Sequence, residues 1–463
     1  MRLRKMGSLA GNFSKGKVST AIVRLGLPIM LAELVHVFYN IVDRMYIGHM
    51  EQGGSIALTG LGVCFPLITL ITAFANLCST GGATLSAIAR GEGDNAKAEL
   101  IMSTAFTMLI LIGMTLTVTL YMTAPTILRL LGGDDTSMPA ALGYFRIYVL
   151  GTISVLISLG MNPFINAQGY PRVGMMTVVI GAVLNIVLDP LFIYTFGMGV
   201  QGAAWATIIS QTVSAIWVLV FLCGPKPPVR LRRLAIDMSE LTRVVSLGAT
   251  GFTFKVTNSI TQAIVNIMLK SWGGAMSTLY IGAMSLINSQ REIMSLPVNA
   301  MTTAGSSFMS FNYGAKRYDR VSESIRFTFL FGLGVNTALW LMVMFVPQPL
   351  IRAFTADEEL IDLTVRCGRI YFGAFPFMAL QLTGQTTFVA LNYPRQALFF
   401  SILRKIVLVT PLTLLLPQIG LGVNGVFWAE LTSQVVGASI CFITMYRVIW
   451  GRMRDGTYVA RNE

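Results

Sequence analysis

Four polar side chains recur at a spacing of three or four residues in one otherwise apolar stretch. Read as a helix, Glu33, His36, Asn40 and Asp43 fall within an arc of ~80°. Such a stripe must face another helix or an aqueous cavity, because polar groups without partners are costly in apolar surroundings. We predict that Glu33, His36 and Asn40 line a cavity that contacts a ligand. The alternative is a structural polar network.

A second set of oxygen ligands lies further along the chain. Asn185 and Asp189 are one helical turn apart, and Thr207 opens the next apolar segment. Together with Asp43 they offer the carboxylate, amide and hydroxyl oxygens that a small cation prefers, so we expect a metal-ion site for Na⁺. Without a metal ion, two adjacent carboxyl groups share a proton. Either ligand couples the site to a cation gradient. Helix capping or interhelical hydrogen bonding is the alternative.

The composition places these groups in a membrane. The 463 residues are 54% hydrophobic and 12% charged, with a mean hydropathy of +0.67, which leaves too little polar surface for a soluble globule. The chain has only two histidines, which argues against a soluble metalloenzyme or a histidine-based hydrolase. The formal charge of +13 indicates cytoplasmic loops in such a chain, and we expect no nucleic-acid partner.

Twelve apolar segments reach the ~20 residues that span a bilayer. With these spans, 22 Lys and Arg fall on one side and four on the other. Because cytoplasmic loops collect positive charge, both termini are expected in the cytoplasm. The sequence thus predicts an all-α integral membrane protein with twelve transmembrane helices. Its five cysteines all fall in apolar runs and are expected to be buried.

The chain repeats itself at an offset of 222 to 223 residues. Gly199–Gln211 matches Gly422–Gln434, and Tyr170-Pro-Arg172 recurs as Tyr393-Pro-Arg395. Each half holds six spans, so the halves share one topology, as in transporters with parallel repeats. The predicted organisation is an N-lobe with the coupling site, a cytoplasmic linker, a C-lobe and a cytoplasmic tail, at residues 1–223, 224–243, 244–450 and 451–463.

The second half repeats the polar stripe with different charges. Lys255, Asn258 and Gln262 follow the same helical spacing, and Lys255 occupies the position equivalent to Glu33. Charged groups in mid-span need partners or water, so both residues are expected to face protein or a cavity.

The second half lacks a matching acid pair. Val265 stands at the position equivalent to Asp43. The first half is therefore predicted to couple, while Arg291, Glu292 and Gln381 of the second half join the substrate cavity with the stripe.

Pro28 lies inside the first span. It removes a backbone hydrogen bond and permits a kink just before the polar stripe. We predict that it acts as a hinge that turns cation binding into movement.

The chain resembles the multidrug and toxic compound extrusion (MATE) family, mostly its bacterial members. The resemblance lies in Tyr39-Asn-Ile-Val-Asp43, in Asn185-Ile-Val-Leu-Asp189-Pro190 and in the Gly-x-x-Gly opening of the sixth span. It implies a V-shaped pair of pseudo-symmetric six-helix bundles that alternate access and export a compound in exchange for Na⁺ or H⁺. The family's N-lobe cation site carries over to Asp43, Asn185, Asp189 and Thr207, with Tyr39 as a neighbour.

Three other functions remain open. A lipid-linked saccharide flippase of the same broad superfamily needs a cavity open to lipid. A membrane enzyme acting on prenyl or acyl lipids would use the adjacent acids at 134–135 and 357–359, which are more typical of helix caps. A receptor is disfavoured by the repeat.

We expect a transporter rather than an enzyme, working as a monomer in the cell membrane. Its partners are a small-molecule substrate and the lipid bilayer, and the coupling ion, Na⁺ or H⁺, is the only cofactor expected.

Glu33 and Lys255 are predicted to pair and to exchange that contact for substrate. Glu33→Lys and Lys255→Glu should each abolish export, and the double reversal should restore part of it because the opposite charges are re-formed. Export from cells producing each variant measures this. A double variant as inactive as the singles argues against direct pairing.

Overall fold

A computed structural model describes Phe13 and residues 16–50 and 54–459. Within these residues the chain is helical and contains no strand, and its helices group into twelve rods, one for each predicted span. Five of the cations used in the charge count lie outside the described residues: Arg2, Arg4, Lys5, Lys15 and Arg461.

The first half forms six rods, two of them irregular. The fourth is bent by 58° at a break between its two segments, and the fifth ends in the π-helical turn Leu191–Thr195. The rods are α1 (Val18–Gly48), α2 (Gly54–Glu92), α3 (Asn95–Leu130), α4 (Met138–Leu150 and Thr152–Ala167), α5 (Pro171–Thr195) and α6 (Gly199–Cys223).

The second half forms six further rods, with a 3-10 segment inside the tenth and π-helical turns inside the last two. Short helices also occur at Gly274–Met276, Pro347–Arg352 and Pro417–Leu421. The rods are α7 (Met238–Trp272), α8 (Ser277–Gly314), α9 (Tyr318–Phe345), α10 (Glu358–Tyr371, Phe372–Phe377 and Met378–Ala390), α11 (Pro394–Leu415) and α12 (Asn424–Arg454).

The surface of the helices is apolar, as a bilayer requires. Val118 and Met122 on α3, and Ile216 and Val220 on α6, are exposed large hydrophobic residues one turn apart. Of the described helices, eight are long and apolar enough to cross a membrane, or nine if the bent α4 counts as one span. The rods that fall short are the more polar α7 and α8 and the interrupted α10. The chain is an all-helical membrane protein.

The chain divides into two compact units. One contains Leu27–Phe252, and the other contains Gly16–Gly26 and the chain from Thr253 onward. Both divisions fall inside helices, because α1 changes unit just before Pro28 and α7 changes unit fifteen residues after its start. The lobe boundaries read from the linker remain a prediction.

Glycines allow the first parts of α1 and α7 to pack closely against other helices of these units. A Cβ added to Gly248 on α7 would lie 1.8 Å from the carbonyl oxygen of Leu77 on α2. In the other unit, a Cβ on Gly26 would lie 2.5 Å from the sulfur of Met301 and 3.5 Å from the carbonyl oxygen of Ala300. Gly26 and Gly248 are equivalent in the repeat, and so are Leu77 and Ala300. The equivalent helices thus meet at equivalent positions in each unit, with the tighter backbone contact at Gly248.

One prediction about the cysteines is wrong. Cys64, Cys78, Cys367 and Cys441 are buried, but Cys223 is exposed. Cys223 is the last residue of α6, and Gly224 ends the helix, so no further helical turn covers the cysteine.

Replacement of Gly248 by alanine should loosen the packing of α7 on α2. The added methyl group meets backbone rather than a movable side chain, so we expect a loss of about 1–3 kcal/mol of stability. The thermal unfolding midpoint of the purified protein in detergent measures it. Gly62→Ala on α2 is the matched control, since a Cβ there meets nothing within 4 Å, and it should raise the midpoint slightly. Equal midpoints for the two variants would show that the close contact is not tight.

Candidate functional site

Two carboxyl groups meet in the first unit. Asp43 in α1 and Asp189 in α5 lie within hydrogen-bonding reach of each other. Asp189 is fully buried, and it stands at the point where α5 passes through Pro190 into its π-helical turn. The change of helix type at this turn resembles the local irregularities that often accompany functional sites.

An amide and a hydroxyl complete the site. The side-chain nitrogen of Asn185 donates to Asp189 Oδ1 at 3.2 Å and to Thr207 Oγ1 at 3.5 Å. Thr207 donates in turn to the carbonyl oxygen of Ala203 at 2.9 Å, which fixes the hydroxyl on α6. The structure therefore brings together Asp43, Asn185, Asp189 and Thr207 from three helices.

The site has room for one positive charge. Asp43 Oδ1, Asn185 Oδ1 and Asp189 Oδ2 are buried and accept no hydrogen bond. Buried acceptors without donors are costly, and two carboxylates in contact need a proton or a cation between them. The donor set of carboxylate and amide oxygens fits Na⁺ as well as a shared proton. Among the described residues no group of three or more His, Cys, Asp or Glu could hold a metal ion.

Three tyrosines lie near the acids, of which Tyr144 and Tyr148 are buried and Tyr39 is half-buried. Tyr39 on α1 and Tyr144 on α4 both interact electrostatically with Asp43. Tyr148 stacks on Tyr144 with ring centroids 5.9 Å apart and interacts with Tyr39. Sequence reasoning missed Tyr144 and Tyr148. The available signal was their spacing of one helical turn.

A cavity adjoins this site within the first unit. It holds about 450 Å³ of space not filled by protein atoms, and His36 and Tyr39 of α1 line it. Asn185 and Thr207 belong both to the cavity wall and to the acid site, so a ligand in the cavity would touch residues that bond to the acids. The remaining polar lining is uncharged: Ser158, Asn162, Thr177, Ser210, Gln211 and Ser214.

The other predicted cavity residues of the first half are only partly placed. Asn40 donates to the carbonyl oxygen of His36 at 2.8 Å and is not part of the cavity wall. Glu33 and Lys255 belong to different compact units, and their pairing stays a prediction.

A family model decides the relationship of the chain to known proteins. The MatE model matches residues 28–191 and 256–415, which include both halves. The chain belongs to the MatE family. The family and the fold predicted from the sequence are thereby confirmed.

Named relatives agree with the MatE assignment. The chain is 23% identical over 463 residues to multidrug export protein MepA of Staphylococcus aureus (strain bovine RF122 / ET3-1), with 97% of each chain covered. It is 20% identical over 444 residues to multidrug export protein MepA of Staphylococcus haemolyticus (strain JCSC1435), with 94% of each covered.

Solved structures share the MatE fold. An outward-facing multidrug resistance MATE family transporter of the MOP superfamily gives a TM-score of 0.87 at 21% identity, covering 96% of this chain and 98% of that one. A crystal structure of MATE in the bent conformation gives 0.88 at 21% identity, covering 98% and 99%. At this identity the likeness establishes the fold.

The second unit of this MatE chain has a cavity of its own. Asn258, Gln262 and Arg291 line it, and their predicted contact with a substrate stays a prediction. Glu292 is exposed and interacts electrostatically with Arg291. Gln381 is buried, bonds to Gln385 at 3.3 Å and lies outside the cavity wall.

Three charged residues of the second unit were missing from the predicted site. Arg404 and Lys405 of α11 form ion pairs with Glu430 of α12 at 3.0 and 3.5 Å. All three side chains are largely buried. The signal was Glu430, which stands at the repeat position of Thr207.

Two of the adjacent acids in the loops make local hydrogen bonds, Asp357 as a helix cap and Asp134 within its loop. Asp357 accepts hydrogen bonds from the backbone of Glu359 and Leu360 at the start of α10. Asp134 accepts from Ser137 nitrogen and hydroxyl at 2.7 and 2.6 Å, and these bonds hold the pKa of Asp134 below its ordinary value. Both acids therefore have a structural role of the kind predicted.

Occupation of the acid site should stabilise the protein. Addition of the coupling cation, as Na⁺ or as a lower pH, should raise the thermal unfolding midpoint, because a ligand that binds only the folded state stabilises it. Asp189→Asn should remove that response, since an amide donates to Asp43 and takes the place of the cation. Asp94→Asn, at the N-cap of α3, is the matched control and should keep the response. A wild-type midpoint that moves with neither Na⁺ nor pH would contradict the assignment.

Proposed function

We propose that this protein is a secondary active antiporter that exports small organic compounds or drugs in exchange for Na⁺ or H⁺ by alternating access. Membership of the MatE family and the multidrug export names of its relatives support this function. The observation that carries it is the Asp43–Asp189 pair beside the cavity of the first unit. A site that must hold one positive charge and shares two wall residues with a cavity can couple ion binding to substrate binding.

The coupling follows from the shared groups. Asn185 uses its nitrogen for Asp189 and Thr207, and its oxygen is buried without a partner. A cation that neutralises the acids is coordinated by these same groups. Fewer of their hydrogen-bonding atoms are then available to a substrate in the cavity. The differential affinity of the two ligands is what an exchange mechanism requires.

Location and assembly are part of the same proposal. The protein would span the cell membrane many times as a monomer, with both termini in the cytoplasm. The excess of Lys and Arg on one side of the predicted spans supports this orientation. Its action requires a small-molecule substrate and the bilayer, and the coupling ion takes the place of any other cofactor.

One observation favours the alternative of a lipid-linked saccharide flippase. The cavity of the second unit carries cationic side chains, which suit a phosphate group. A flippase would move lipid without an ion gradient that acts through Asp43.

Reconstitution in liposomes tests the antiport. A fluorescent lipophilic cation should move when a sodium or a proton gradient is imposed separately, and one of the two gradients should drive it. Asp43→Asn should abolish this movement, because the acid pair no longer needs a cation, whereas Asp94→Asn should leave it unchanged. No movement of the cation under either gradient by folded protein would contradict drug–cation antiport.

A further inference from the structure

The cavity of the second unit is enriched in positive charge. The gaps between its protein atoms amount to about 360 Å³, including space open to solvent, and Arg291, Lys405 and Glu430 line it. Arg404 adds a third cation, since its Nη1 atom lies 3.0 Å from the same Glu430 oxygen that Lys405 contacts. Glu292, exposed on the side of Arg291, is the one further acid that acts electrostatically on the described residues Arg291, Lys405 and Glu430. Cations therefore outnumber acids.

Burial makes this imbalance costly. Lys405 is 3% exposed, and the side chains of Arg404 and Glu430 are 12% and 13% exposed. A buried ion pair is stable when every charge is matched and hydrogen-bonded, and an excess charge in the membrane favours a counter-ion. Glu430 serves two cations at once, while Arg291 hydrogen-bonds the neutral hydroxyl of Tyr371. The set lacks one negative charge.

Two polar side chains at the same place have unused donors. Thr261 lines the cavity, is 5% exposed, and its hydroxyl has no hydrogen-bond partner. Gln434 accepts from Arg404 at 2.6 Å, and its own side-chain nitrogen is buried without an acceptor. Unused donors beside excess cations suit an anionic acceptor.

The repeat shows that this cavity is the counterpart of the one beside the acid pair. Asn258 and Thr261 stand at the positions of His36 and Tyr39. Arg404 and Lys405 replace the small residues of the first cavity wall, Gly181 and Ala182, and Glu430 replaces Thr207. Val265 replaces Asp43. One position in the fold thus carries acids in the first unit and mainly cations in the second.

We propose that the cavity of the second unit binds the anionic group, a carboxylate or a phosphate, of an otherwise apolar compound. Arg291 and Lys405 pair with the anion, and Thr261 donates a hydrogen bond to it. The apolar walls, Val265, Met284, Val409 and Val426, contact the rest of the molecule. Only the statement that this compound is exported rests on the proposed function. Binding itself is independent of it.

Three probes of one shape and different charge test the chemistry. Benzoate, benzamide and benzylamine are titrated calorimetrically into the full-length protein in neutral detergent. Benzoate should bind, and the neutral and cationic probes should bind at least about tenfold more weakly, since a charge-assisted hydrogen bond contributes more than the 1.4 kcal/mol of a tenfold change. Equal binding of all three, or preference for benzylamine, overturns the proposal.

Variants that remove either a positive or a negative charge test whether benzoate binds in this cavity. Arg291→Gln should weaken benzoate binding at least about tenfold, and Glu430→Gln should strengthen it, because it removes the competing anion. Thr261→Val should weaken it less. Arg146→Gln, an exposed arginine of the first unit, is the matched control and should leave the affinity unchanged. If Arg291→Gln and Glu430→Gln lower the unfolding midpoint but leave benzoate affinity unchanged, the cluster is a structural ion network and the proposal fails.

Two further measurements complete the test. One distinguishes a lipid headgroup from a soluble anion, and the other distinguishes failure of the anion site from failure of the antiporter. Phosphatidylglycerol that displaces benzoate would identify a lipid headgroup as the occupant, and benzoate binding unaffected by it would identify a soluble anion. Drug–cation antiport is measured on the same purified protein after reconstitution in liposomes. Benzoate binding without antiport refutes the antiporter alone, and antiport without benzoate binding refutes the anion site alone.

Discussion

Two carboxyl groups within reach of each other, in a place that water barely enters, cannot both remain charged and unaccompanied. This constraint organises the first unit. Asp43 and Asp189 come from different helices, so whatever neutralises them also holds α1 and α5 together. Asn185 supports one acid and Thr207 fixes the amide in turn. Asp189 is fully buried, which makes a neutralising cation more stabilising there than it would be in water.

The second unit meets the same constraint with the opposite charge. Its acid, Glu430, is shared by two cations, and the position that holds Asp43 in the first unit holds Val265. The repeat has therefore kept the helices and changed the chemistry between them. Because a buried charge is expensive whatever its sign, we propose an external cation for the first unit and an external anion for the second. On this proposal a single chain has two kinds of ligand.

The sequence was sufficient for features that depend on period and repetition. The order of residues alone shows the lengths of the spans and the matching segments around Trp205 and Trp428. It also shows the spacing of Asn185 and Asp189. It does not show contacts between distant helices. Arg404 and Lys405 lie near the middle of α11, and their partner Glu430 lies in the next helix, which the order of residues does not show.

The division into compact units was equally hidden. It falls inside α1 and α7, whereas the proline-rich linker is the more visible signal in the sequence. Tyr144 was missed for a related reason, since the bend of α4 that presents it has no period. Packing, rather than pattern, decides all of these positions.

The paired glycine contacts bear on the origin of the repeat. Each compact unit contains the start of a helix whose remainder belongs to the other unit, and Gly26 and Gly248 are equivalent residues of these two starts. A six-helix ancestor with this arrangement would have lacked part of its own bundle. Two copies that exchanged the beginnings of their first helices would have completed each other, as a domain-swapped dimer. Gene duplication and fusion would then have made the exchange permanent, with the linker joining what had been two chains.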